Sequence, residues 1–402
     1  MAQLPPAFTE QTRQTLGEER FERFLQSLDE EPPVSIRLNP MKAGSMTVVE
    51  GDAVPWCRGA FYLPFRPNFT MDPLLHAGCY YVQEAASMFL DEVLRTVLSP
   101  LEEQGKALDL CAAPGGKSTL LRAALPPLWT VWSNEPIAQR AAILQENVEK
   151  WGYDGHIVTS SMPRDYRESG LLFDVILCDV PCSGEGMFRK DPATIQQWTP
   201  QGVERCAALQ RDIVSDAWAC LRPGGLMVYS TCTLNTRENE ENIRWMMDTL
   251  EARPLRVDIR EEWNITGSLL EGFDAPVYRF IPGITRSEGL FVCALEKPAD
   301  QPLPRPPRRP PTLKTLAPQK PAATGAARVD IGYQQAVAYL RREALTLPPD
   351  TPRGIVELTF MGQPLGPAKN LGTRANNLYP KAWRIKTTHT TDDYTPVLTS
   401  IT

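Results

Sequence analysis

Two cysteines in unusual short contexts are the residues of this sequence best suited to chemistry. Cys182 lies in the segment DVPCSG and Cys232 in the segment STCT, and each follows a predicted strand. Open α/β sheets bind their ligands at the carboxyl ends of strands. Proline, serine and threonine surround the two thiols, and reactive thiolates occur in such polar, partly exposed places. The pair therefore indicates nucleophilic catalysis by a thiol.

Three other roles of cysteine, in disulfides, zinc sites and apolar cores, do not explain Cys182 and Cys232. Nine cysteines without regular spacing do not resemble a disulfide framework. A zinc site is not expected, because Cys178 and Cys182 have the wrong spacing and the histidines are scattered at 76, 156 and 389. We therefore predict no metal. Burial as a small apolar residue is the expectation for Cys111, Cys178, Cys206, Cys220 and Cys293.

A glycine turn after a third predicted strand forms a candidate cofactor loop. A strand, a turn and a helix place backbone N–H groups and a helix N-terminus against a ligand, and glycine allows ligand atoms to approach closely. Glu135 ends the next strand, about twenty residues after the first glycine, where an acid binds ribose hydroxyls in dinucleotide and related sites. The loop consists of Cys111, Ala112, Ala113, Pro114, Gly115, Gly116 and Lys117.

A phosphate-binding P-loop is the main rival interpretation of this turn. Residues 116–119 read GKST, and Asp179 after an apolar strand is placed like a magnesium-binding acid. The P-loop pattern requires a glycine five positions before Gly116, where this chain has Cys111. The sequence therefore disfavours an NTPase.

Methyl transfer to a pyrimidine would use both thiols, an acid and a cofactor loop. Carbon 5 of a pyrimidine is a poor nucleophile, but a thiolate added to carbon 6 makes carbon 5 enamine-like. Asp179 is placed to control the proton at ring nitrogen 3. The second thiol would support removal of the carbon-5 proton. Such a base must be flipped out or single-stranded to be reached.

The elements predicted around these residues alternate between strand and helix. Alternation of this kind over residues 71–297 favours a mostly parallel sheet with helices on both faces. Strands are predicted at 107–111, 130–135, 156–160, 173–179 and 225–231, and another within Gly289 to Glu296. Helices are predicted at 82–98, 116–125, 136–151, 200–221 and 237–251.

Smaller regions flank this block. Residues 1–70 are predicted to begin with a helix from Pro6 to Leu28 and to continue as short strands. Pro298 to Pro321 carries nine prolines, which predicts a semi-rigid extended linker over 298–326. Residues 327–402 are predicted to form a small separate module with a helix from Gly332 to Arg342.

Charge is distributed unevenly along the chain. The net charge is −6, yet the C-terminal quarter is basic. Such asymmetry fits either a polyanion contact or an ordinary solvated surface. The N-terminus lacks an apolar signal-peptide core, and no stretch has the length of a membrane span, so we expect a cytoplasmic protein without a membrane partner. The basic side chains are Arg353, Lys369, Arg374, Lys381, Arg384 and Lys386, after Arg305, Arg308, Arg309, Lys314, Lys320 and Arg328 in the proline-rich region.

Three segments in order resemble the RNA 5-methylcytosine methyltransferases of the Nop/Sun type. They are CAAPGGKS (111–118), DVPCSGEGMFRKDP (179–192) and STCTLNTRENEENI (230–243). Residues 362–384 are similar to the C-terminal module of the bacterial small-subunit rRNA branch, the RsmF type. The resemblance implies a Rossmann-type core with a doubly wound, mostly parallel sheet that binds S-adenosylmethionine. It also implies small N-terminal and C-terminal RNA-binding α+β modules, the latter PUA-like.

The resemblance also implies residue roles. Cys232 would be the nucleophile and Cys182 would promote product release. The loop 111–117 would bind the amino-acid portion of S-adenosylmethionine, and Glu135 its ribose. Asp179 and Lys117 would contact the cytosine, with Asp179 also near the methyl donor. One alternative makes Cys182 the nucleophile, because DNA cytosine methyltransferases use a Pro-Cys thiol.

Several points stay open at this stage. The adenine contact is undecided among Ser160, Ser161 and Asp165. Arg189 and Lys190 are either phosphate contacts or an exposed charged loop. The leading substrate is 16S rRNA, free or in the small ribosomal subunit, bound by a monomer. Alternatives are tRNA as substrate, or a non-catalytic RNA-binding assembly factor.

Overall fold

The computed structural model describes residues 4–98, 102–303, 307–321, 325–387 and 394–401. Arg305 and His389, named above, lie outside these ranges. Across the described ranges, every helix is too short or too polar to cross a lipid bilayer.

The described part of the N-terminal region contains three α-helices and a four-stranded antiparallel sheet, whose strand order is β3 (Asp52–Ala53), β4 (Ala60–Leu63), β1 (Val34–Leu38) and β5 (Tyr80–Val82). The single helix predicted from Pro6 to Leu28 is wrong, because Gly17 has a φ of 76° and interrupts the helix. The elements are α1 (Pro6–Leu16), α2 (Glu18–Ser27), β1 (Val34–Leu38), β2 (Met46–Val48), β3 (Asp52–Ala53), β4 (Ala60–Leu63), α3 (Pro73–His76) and β5 (Tyr80–Val82).

A larger α/β unit follows. Its elements are α4 (Leu90–Val97), β6 (Lys106–Asp109), α5 (Gly116–Ala124), β7 (Thr130–Asn134), α6 (Ala138–Trp151), β8 (His156–Thr159), α7 (Pro163–Ser169), β9 (Phe173–Asp179), α8 (Ala193–Gln197), α9 (Pro200–Cys220), β10 (Leu221–Thr231), α10 (Glu240–Leu250), β11 (Arg253–Leu255), β12 (Tyr278–Phe280) and β13 (Leu290–Glu296). The helix predicted at 82–98 is wrong at its start. Val82 instead pairs with β1, and the Glu84 carboxylate accepts hydrogen bonds from the backbone N–H groups of Ala86 and Ser87.

The central sheet has the strand order β11-β13-β10-β9-β6-β7-β8, with β12 also paired to β13. Strands β6 to β10 are parallel, whereas β11, β12 and β13 extend one side with antiparallel pairs. The chain reverses its direction of strand addition between β6 and β9, which is the position where such sheets bind ligands. The predicted Rossmann-type fold is confirmed.

Burial follows the strand alternation. On β9, Val175 and Leu177 pack into the hydrophobic cluster on one face, while Ile176 and Cys178 pack into the cluster on the other. Successive side chains on a strand point to opposite faces, so a run of apolar residues is covered on both sides. The carboxyl ends of the strands are thereby held in a rigid edge.

The C-terminal region forms a second four-stranded sheet, whose strands are in the order β14 (Ala327–Asp330), β15 (Gly354–Phe360), β16 (Gln363–Asn370) and β17 (Ala375–Asn377). Its elements are β14 (Ala327–Asp330), α11 (Tyr333–Leu340), β15 (Gly354–Phe360), β16 (Gln363–Asn370), β17 (Ala375–Asn377) and β18 (Leu398–Ser400). Strand β18 pairs with β2 of the N-terminal region. Buried residues from both regions, among them Leu74 and Leu398, belong to one hydrophobic cluster.

The proline-rich segment is extended and partly paired to the central sheet. Thr315 forms an antiparallel bridge with Thr159 at the end of β8. The backbone N–H of Leu316 donates to the Val158 carbonyl at 2.9 Å, and the N–H of Ser160 donates to the Lys314 carbonyl at 2.8 Å. This segment therefore covers the β8 edge of the sheet. The predicted boundaries at 70, 297 and 326 stay predictions.

Candidate active site

The two cysteines meet because their strands are neighbours in register. Asp179 of β9 pairs with Ser230 of β10, so the segments that follow both strands leave the sheet side by side. We call residues 180–187 the Cys182 loop and residues 232–239 the Cys232 loop. The Sγ atoms of Cys182 and Cys232 lie 3.1 Å apart, within hydrogen-bonding distance of each other.

Lys117 and Asp179 form an ion pair at the same edge. The Lys117 Nζ lies 2.9 Å from Oδ2 of Asp179, and the Ser230 hydroxyl donates to Oδ1 at 2.6 Å. Burial lowers the pKa of Lys117, but the charge of Asp179 and its hydrogen bond outweigh burial and raise that pKa overall. The ammonium therefore stays charged, and both carboxylate oxygens of Asp179 are held in place.

The surroundings of the two thiols differ in charge. The hydrogen bond with Cys232 and burial raise the pKa of Cys182 well above its usual range, and the Glu238 carboxylate adds to this effect. Cys232 instead interacts with the Lys117 ammonium. A cation therefore interacts with Cys232 and an anion with Cys182, so the two thiols have opposite electrostatic surroundings.

The cofactor loop, residues 111–117, is braced from two sides. Gly115 has a φ of 115°, a conformation that L side chains rarely adopt. Asn147 of α6 donates to the Pro114 carbonyl at 2.8 Å. From the N-terminal sheet, the Arg37 guanidinium donates to the Gly116 carbonyl at 3.3 Å and to the Thr119 hydroxyl at 2.8 Å. Sequence reasoning missed these braces, because they come from distant parts of the chain.

Glu135 lies beside this loop at the end of β7. Its buried carboxylate accepts the backbone N–H of Ile137 at 3.0 Å and pairs with Arg140 at 3.1 Å. Arg140 also donates to the Ala113 carbonyl at 3.1 Å, so one guanidinium joins Glu135 to the loop. Arg140 was not predicted from the sequence, although its position in the first turn of the following helix is a usable signal.

The three candidates for an adenine contact are differently engaged. The Ser161 hydroxyl accepts the backbone N–H of Lys314 at 3.0 Å. The Asp165 carboxylate accepts the backbone N–H of Met162 at 2.9 Å and caps α7. The Ser160 hydroxyl makes a longer contact of 3.4 Å to the Pro136 carbonyl. Ser161 and Asp165 therefore already serve the proline-rich segment and a helix start.

The two basic residues after Cys182, Arg189 and Lys190, have different surroundings. The Arg189 side chain is 5% exposed and pairs with Glu288 at 3.2 Å. Its guanidinium also donates to the Ser287 carbonyl at 2.9 Å. Neither interpretation made from the sequence holds for Arg189, because it is a buried structural cation. Lys190 is exposed, as a loop residue or a phosphate contact would be.

Two buried acids of the quoted segments received no role from the sequence. Glu185 lies in the Cys182 loop and Glu238 in the Cys232 loop, and each accepts hydrogen bonds from backbone N–H groups of the other loop. Acids are common in charged segments such as these, and the hydrogen-bond partners of both acids lie in the opposite loop, which the sequence does not reveal. Only their closeness in sequence to Cys182 and Cys232 could have indicated a role.

Comparison with known proteins adds to this geometry. A model of the family described as 16S rRNA methyltransferase RsmB/F matches residues 95–296, about half of the chain. The chain belongs to this family. Models for the N-terminal domain of 16S rRNA methyltransferase RsmF and for the methyltransferase RsmF PUA domain match residues 4–85 and 326–385. The resemblance stated from the sequence is confirmed.

Curated relatives carry the name ribosomal RNA small subunit methyltransferase F. The protein of Pectobacterium carotovorum is 36% identical over 274 residues, which cover 63% of this chain and 53% of the relative. The protein of Erwinia tasmaniensis is 33% identical over 333 residues, covering 75% of this chain and 65% of the relative. The chain thus spans from about half to just under two thirds of the length of these relatives.

Solved structures support the fold. A methyltransferase homologue from Pyrococcus horikoshii aligns with a TM-score of 0.58 at 25% identity, covering 73% of this chain and 100% of that chain. A structure titled as NSun6 from the same organism with SFG aligns with a TM-score of 0.59 at 19% identity, covering 74% of this chain and 99% of that one. The latter likeness bears on the fold alone.

The residues around the cofactor loop fit S-adenosylmethionine, which carries a sulfonium and an ammonium cation. Asp109 ends β6 two residues before the loop, and its buried Oδ1 has no hydrogen-bond partner among the residues that the structure describes. A buried polar atom without a partner is costly, so this oxygen is suited to a ligand donor. Together with Glu135 and Asp179, which also pair with Arg140 and Lys117, it places three carboxyl groups at this edge that can accept hydrogen bonds from the ammonium and hydroxyl groups of a bound cofactor.

Proposed function

We propose that the chain is an S-adenosylmethionine-dependent RNA cytosine-5 methyltransferase that acts on 16S rRNA of the small ribosomal subunit. One observation carries the reaction type: two thiols 3.1 Å apart beside a Lys117–Asp179 ion pair. Membership of the RsmB/F family supports rRNA as the substrate. The proposal includes a monomer that works in the cytoplasm, where this RNA is found.

Cys232 is the nucleophile in this proposal. Its sulfur adds to carbon 6 of the cytosine, and the displaced π electrons make carbon 5 enamine-like. A proton taken up from water at ring nitrogen 3 neutralises the negative charge that the addition places on the ring, and the Asp179 carboxylate accepts a hydrogen bond from that N–H. Lys117 keeps Asp179 oriented and stabilises the Cys232 thiolate by its positive charge. When bound, S-adenosylmethionine supplies a methyl group on a positively charged sulfur, and carbon 5 takes this group.

Cys182 assists release of the product. After methyl transfer, loss of the carbon-5 proton returns its electron pair to the ring and expels the Cys232 sulfur. Cys182 lies within hydrogen-bonding distance of that sulfur and can support both the proton transfer and the departing thiolate. A chain without the Cys182 thiol would therefore remain attached to its RNA.

The C-terminal region offers a surface for the RNA backbone. Exposed lysine and arginine side chains provide the charge that a polyanion requires. Glu357, the acid among them, pairs with Arg328 at 3.2 Å. The exposed basic residues are Arg353, Lys369, Arg374, Lys381, Arg384 and Lys386.

Trapping the covalent intermediate tests the proposal. Cys182→Ala protein is incubated with S-adenosylmethionine and, separately, with deproteinised 16S rRNA, tRNA and small ribosomal subunits. We expect an adduct that survives denaturation on one or a few cytosines of 16S rRNA, as free RNA or in the subunit. The adduct is expected to be absent when Cys232 is also replaced, and in a Cys206→Ala control that alters a thiol outside the site.

Each other outcome changes a stated part of the proposal. An adduct on tRNA alone would keep the mechanism and reject the rRNA substrate. Methylation by the unaltered protein without an adduct in Cys182→Ala would reject the thiol roles. Neither adduct nor methylation on any of the three RNAs would contradict the proposed activity and favour an assembly factor.

A further inference from the structure

Glu185 of the Cys182 loop is bonded to the backbone of the Cys232 loop. Its Oε2 accepts the backbone N–H groups of Leu234 and Asn235, at 2.8 and 2.9 Å. Next to it, the backbone N–H of Gly186 donates to the Cys232 carbonyl at 2.8 Å. The carboxylate therefore fixes the backbone immediately after Cys232.

Glu238 of the Cys232 loop makes the reciprocal contact. Its Oε2 accepts the backbone N–H of Ser183 at 3.0 Å and the side-chain amide of Gln210 at 2.7 Å. Ser183 directly follows Cys182. Each loop thus supplies a carboxylate to the backbone of the other loop.

Asn235 joins the two carboxylates. Its Nδ2 donates to Oε1 of Glu185 and to Oε1 of Glu238, each at 2.9 Å. Its Oδ1 accepts the backbone N–H of Glu238 at 2.9 Å, so the amide cannot rotate without losing this bond. The Ser183 and Thr233 hydroxyls, 2.9 Å apart, add a further connection between the loops.

Both carboxylates are buried, at 1% exposure for Glu185 and 0% for Glu238. Within the described residues, neither forms an ion pair with lysine, arginine or histidine, and their donors are neutral N–H groups. Burying a carboxylate without a cation is costly unless several hydrogen bonds compensate. An arrangement this costly at the thiol pair points to a role in the reaction.

We propose that Glu185 and Glu238 form a carboxylate clasp that positions the two thiols for successive steps, Glu185 for attack by Cys232 and Glu238 for release through Cys182. The clasp rests on the proposed function, because it assigns one step to each thiol. The charge pattern agrees with it, since the Glu238 carboxylate contributes to the raised pKa of Cys182.

Glu238→Gln separates the two steps. The substitution replaces one carboxylate oxygen, which accepts hydrogen bonds, by an NH₂ group, which donates them. Because the NH₂ group would face N–H donors, the hydrogen bond to the Ser183 backbone is weakened and the neighbouring Cys182 loses its fixed position. During turnover with RNA and S-adenosylmethionine, we expect product release to slow about tenfold, because the loss of one hydrogen bond to a charged group raises the barrier by a corresponding free energy. The fraction of enzyme that is covalently bound to RNA should therefore rise about tenfold. We expect the rate of adduct formation to change by less than about threefold.

Glu185→Gln is expected to affect the other step. In a Cys182→Ala background, where release is blocked, adduct formation should slow about tenfold. With Cys182 present, no excess adduct should accumulate, because attack is then the slow step. Loss of fold alone would lower both rates together in both variants, so the opposite responses distinguish positioning from stability.

Glu241→Gln is the matched control, because Glu241 follows on the same segment and pairs with Arg237 outside the clasp. Thr233→Val is an isosteric second variant that removes the hydroxyl contact to Ser183 and an acceptor of the Asn235 amide, and it should raise the covalent fraction in the same direction as Glu238→Gln. Melting curves identify any variant that does not fold.

The clasp proposal is contradicted if the folded Glu238→Gln and Thr233→Val variants have the same covalently bound fraction as the unaltered protein. It is also contradicted if Glu185→Gln and Glu238→Gln slow the attack step equally. If Glu238→Gln does not fold, Thr233→Val and Glu185→Gln decide. The proposed function fails separately, when the unaltered protein transfers no methyl group and Cys182→Ala traps no RNA.

Discussion

The titration of one side chain, Asp109, should make the stability of the protein depend on pH. Burial raises its pKa from the usual value to about 7, although the Ser118 hydroxyl donates to one of its oxygens. The folded protein therefore binds this proton more tightly than the unfolded chain does. Its contribution to stability is complete below about pH 4 and is lost as the pH rises through about 7.

Asp109→Asn should remove this dependence, because the amide does not titrate and its oxygen still accepts from Ser118. Between pH 5 and pH 8, we expect the unaltered protein to lose about 3 kcal/mol more unfolding free energy than the variant, because about two pH units of this interval lie below the folded pKa of about 7 and each is worth about 1.4 kcal/mol. Urea unfolding at the two pH values without cofactor measures the difference. Parallel losses in both proteins would contradict the assignment to Asp109.

At the residue scale, the sequence predicts side chains whose context is local. Cys182, Cys232, Asp179 and Lys117 were singled out because each lies at the end of a predicted strand or in a glycine turn. The structure brings these four together at one edge of the sheet. Their assigned roles stay predictions. Glu185 was not singled out, since its partners are backbone groups almost fifty residues further along the chain.

At the scale of elements, the proline-rich segment has a structural role beyond joining two regions. Leu316 packs against a hydrophobic cluster that contains Ala112 of the cofactor loop and Val158 of β8. Two backbone N–H groups beyond it, from Gln319 and Lys320, donate to the Glu149 carboxylate at 2.8 Å each. The segment thereby supports the cofactor loop from outside.

Leu316→Asp should weaken cofactor binding, because a charge placed in this cluster displaces the segment from the loop. We expect the Kd for S-adenosylmethionine to rise about tenfold, which corresponds to about 1.4 kcal/mol. Isothermal titration measures the Kd. Leu303→Asp is the control, since Leu303 lies in the same segment and is 63% exposed. Equal Kd values for the two variants would show that the segment does not support the loop.

Composition predicted that this segment is extended but not what it touches. Proline fixes the backbone φ angle, whereas pairing with β8 depends on an edge that exists only after the sheet has formed. The two predicted helices with wrong boundaries, at 6–28 and 82–98, were mispredicted for comparable reasons. Gly17 ends α1 by its backbone conformation, and Val82 pairs with β1 where its surroundings had suggested a helix.

At the scale of the whole molecule, the N-terminal and C-terminal regions stabilise each other. Strand β18 pairs with β2, and the Tyr394 hydroxyl donates to the buried Asp72 carboxylate at 3.1 Å. Leu398 is fully buried in the cluster that includes Leu74 of the N-terminal region. The proline-rich linker and the elements after it predicted a separate C-terminal module, but contacts between sequence-distant regions leave no local pattern.

Leu398→Ala should destabilise both regions, because the cavity opens in their common core. We expect a loss of about 3 kcal/mol in unfolding free energy. Hydrogen exchange should also speed up at the amides of β5, which is distant in sequence. Ile401→Ala is the matched control, since Ile401 is 60% exposed, and its effect should stay within about 0.5 kcal/mol. Unchanged exchange in β5 would show that the regions are energetically separate.

The central claim is that Cys232, and not Cys182, attacks the cytosine. RNA substrate containing 5-fluorocytidine tests it in the unaltered protein, because fluorine at carbon 5 leaves no proton to remove and holds the enzyme on the base after methyl transfer. Digestion with protease and nuclease, followed by fragmentation mass spectrometry, locates the nucleotide. We predict a methylated 5-fluorocytidine bonded to the peptide that contains Cys232. The same nucleotide on the peptide that contains Cys182 would contradict the account.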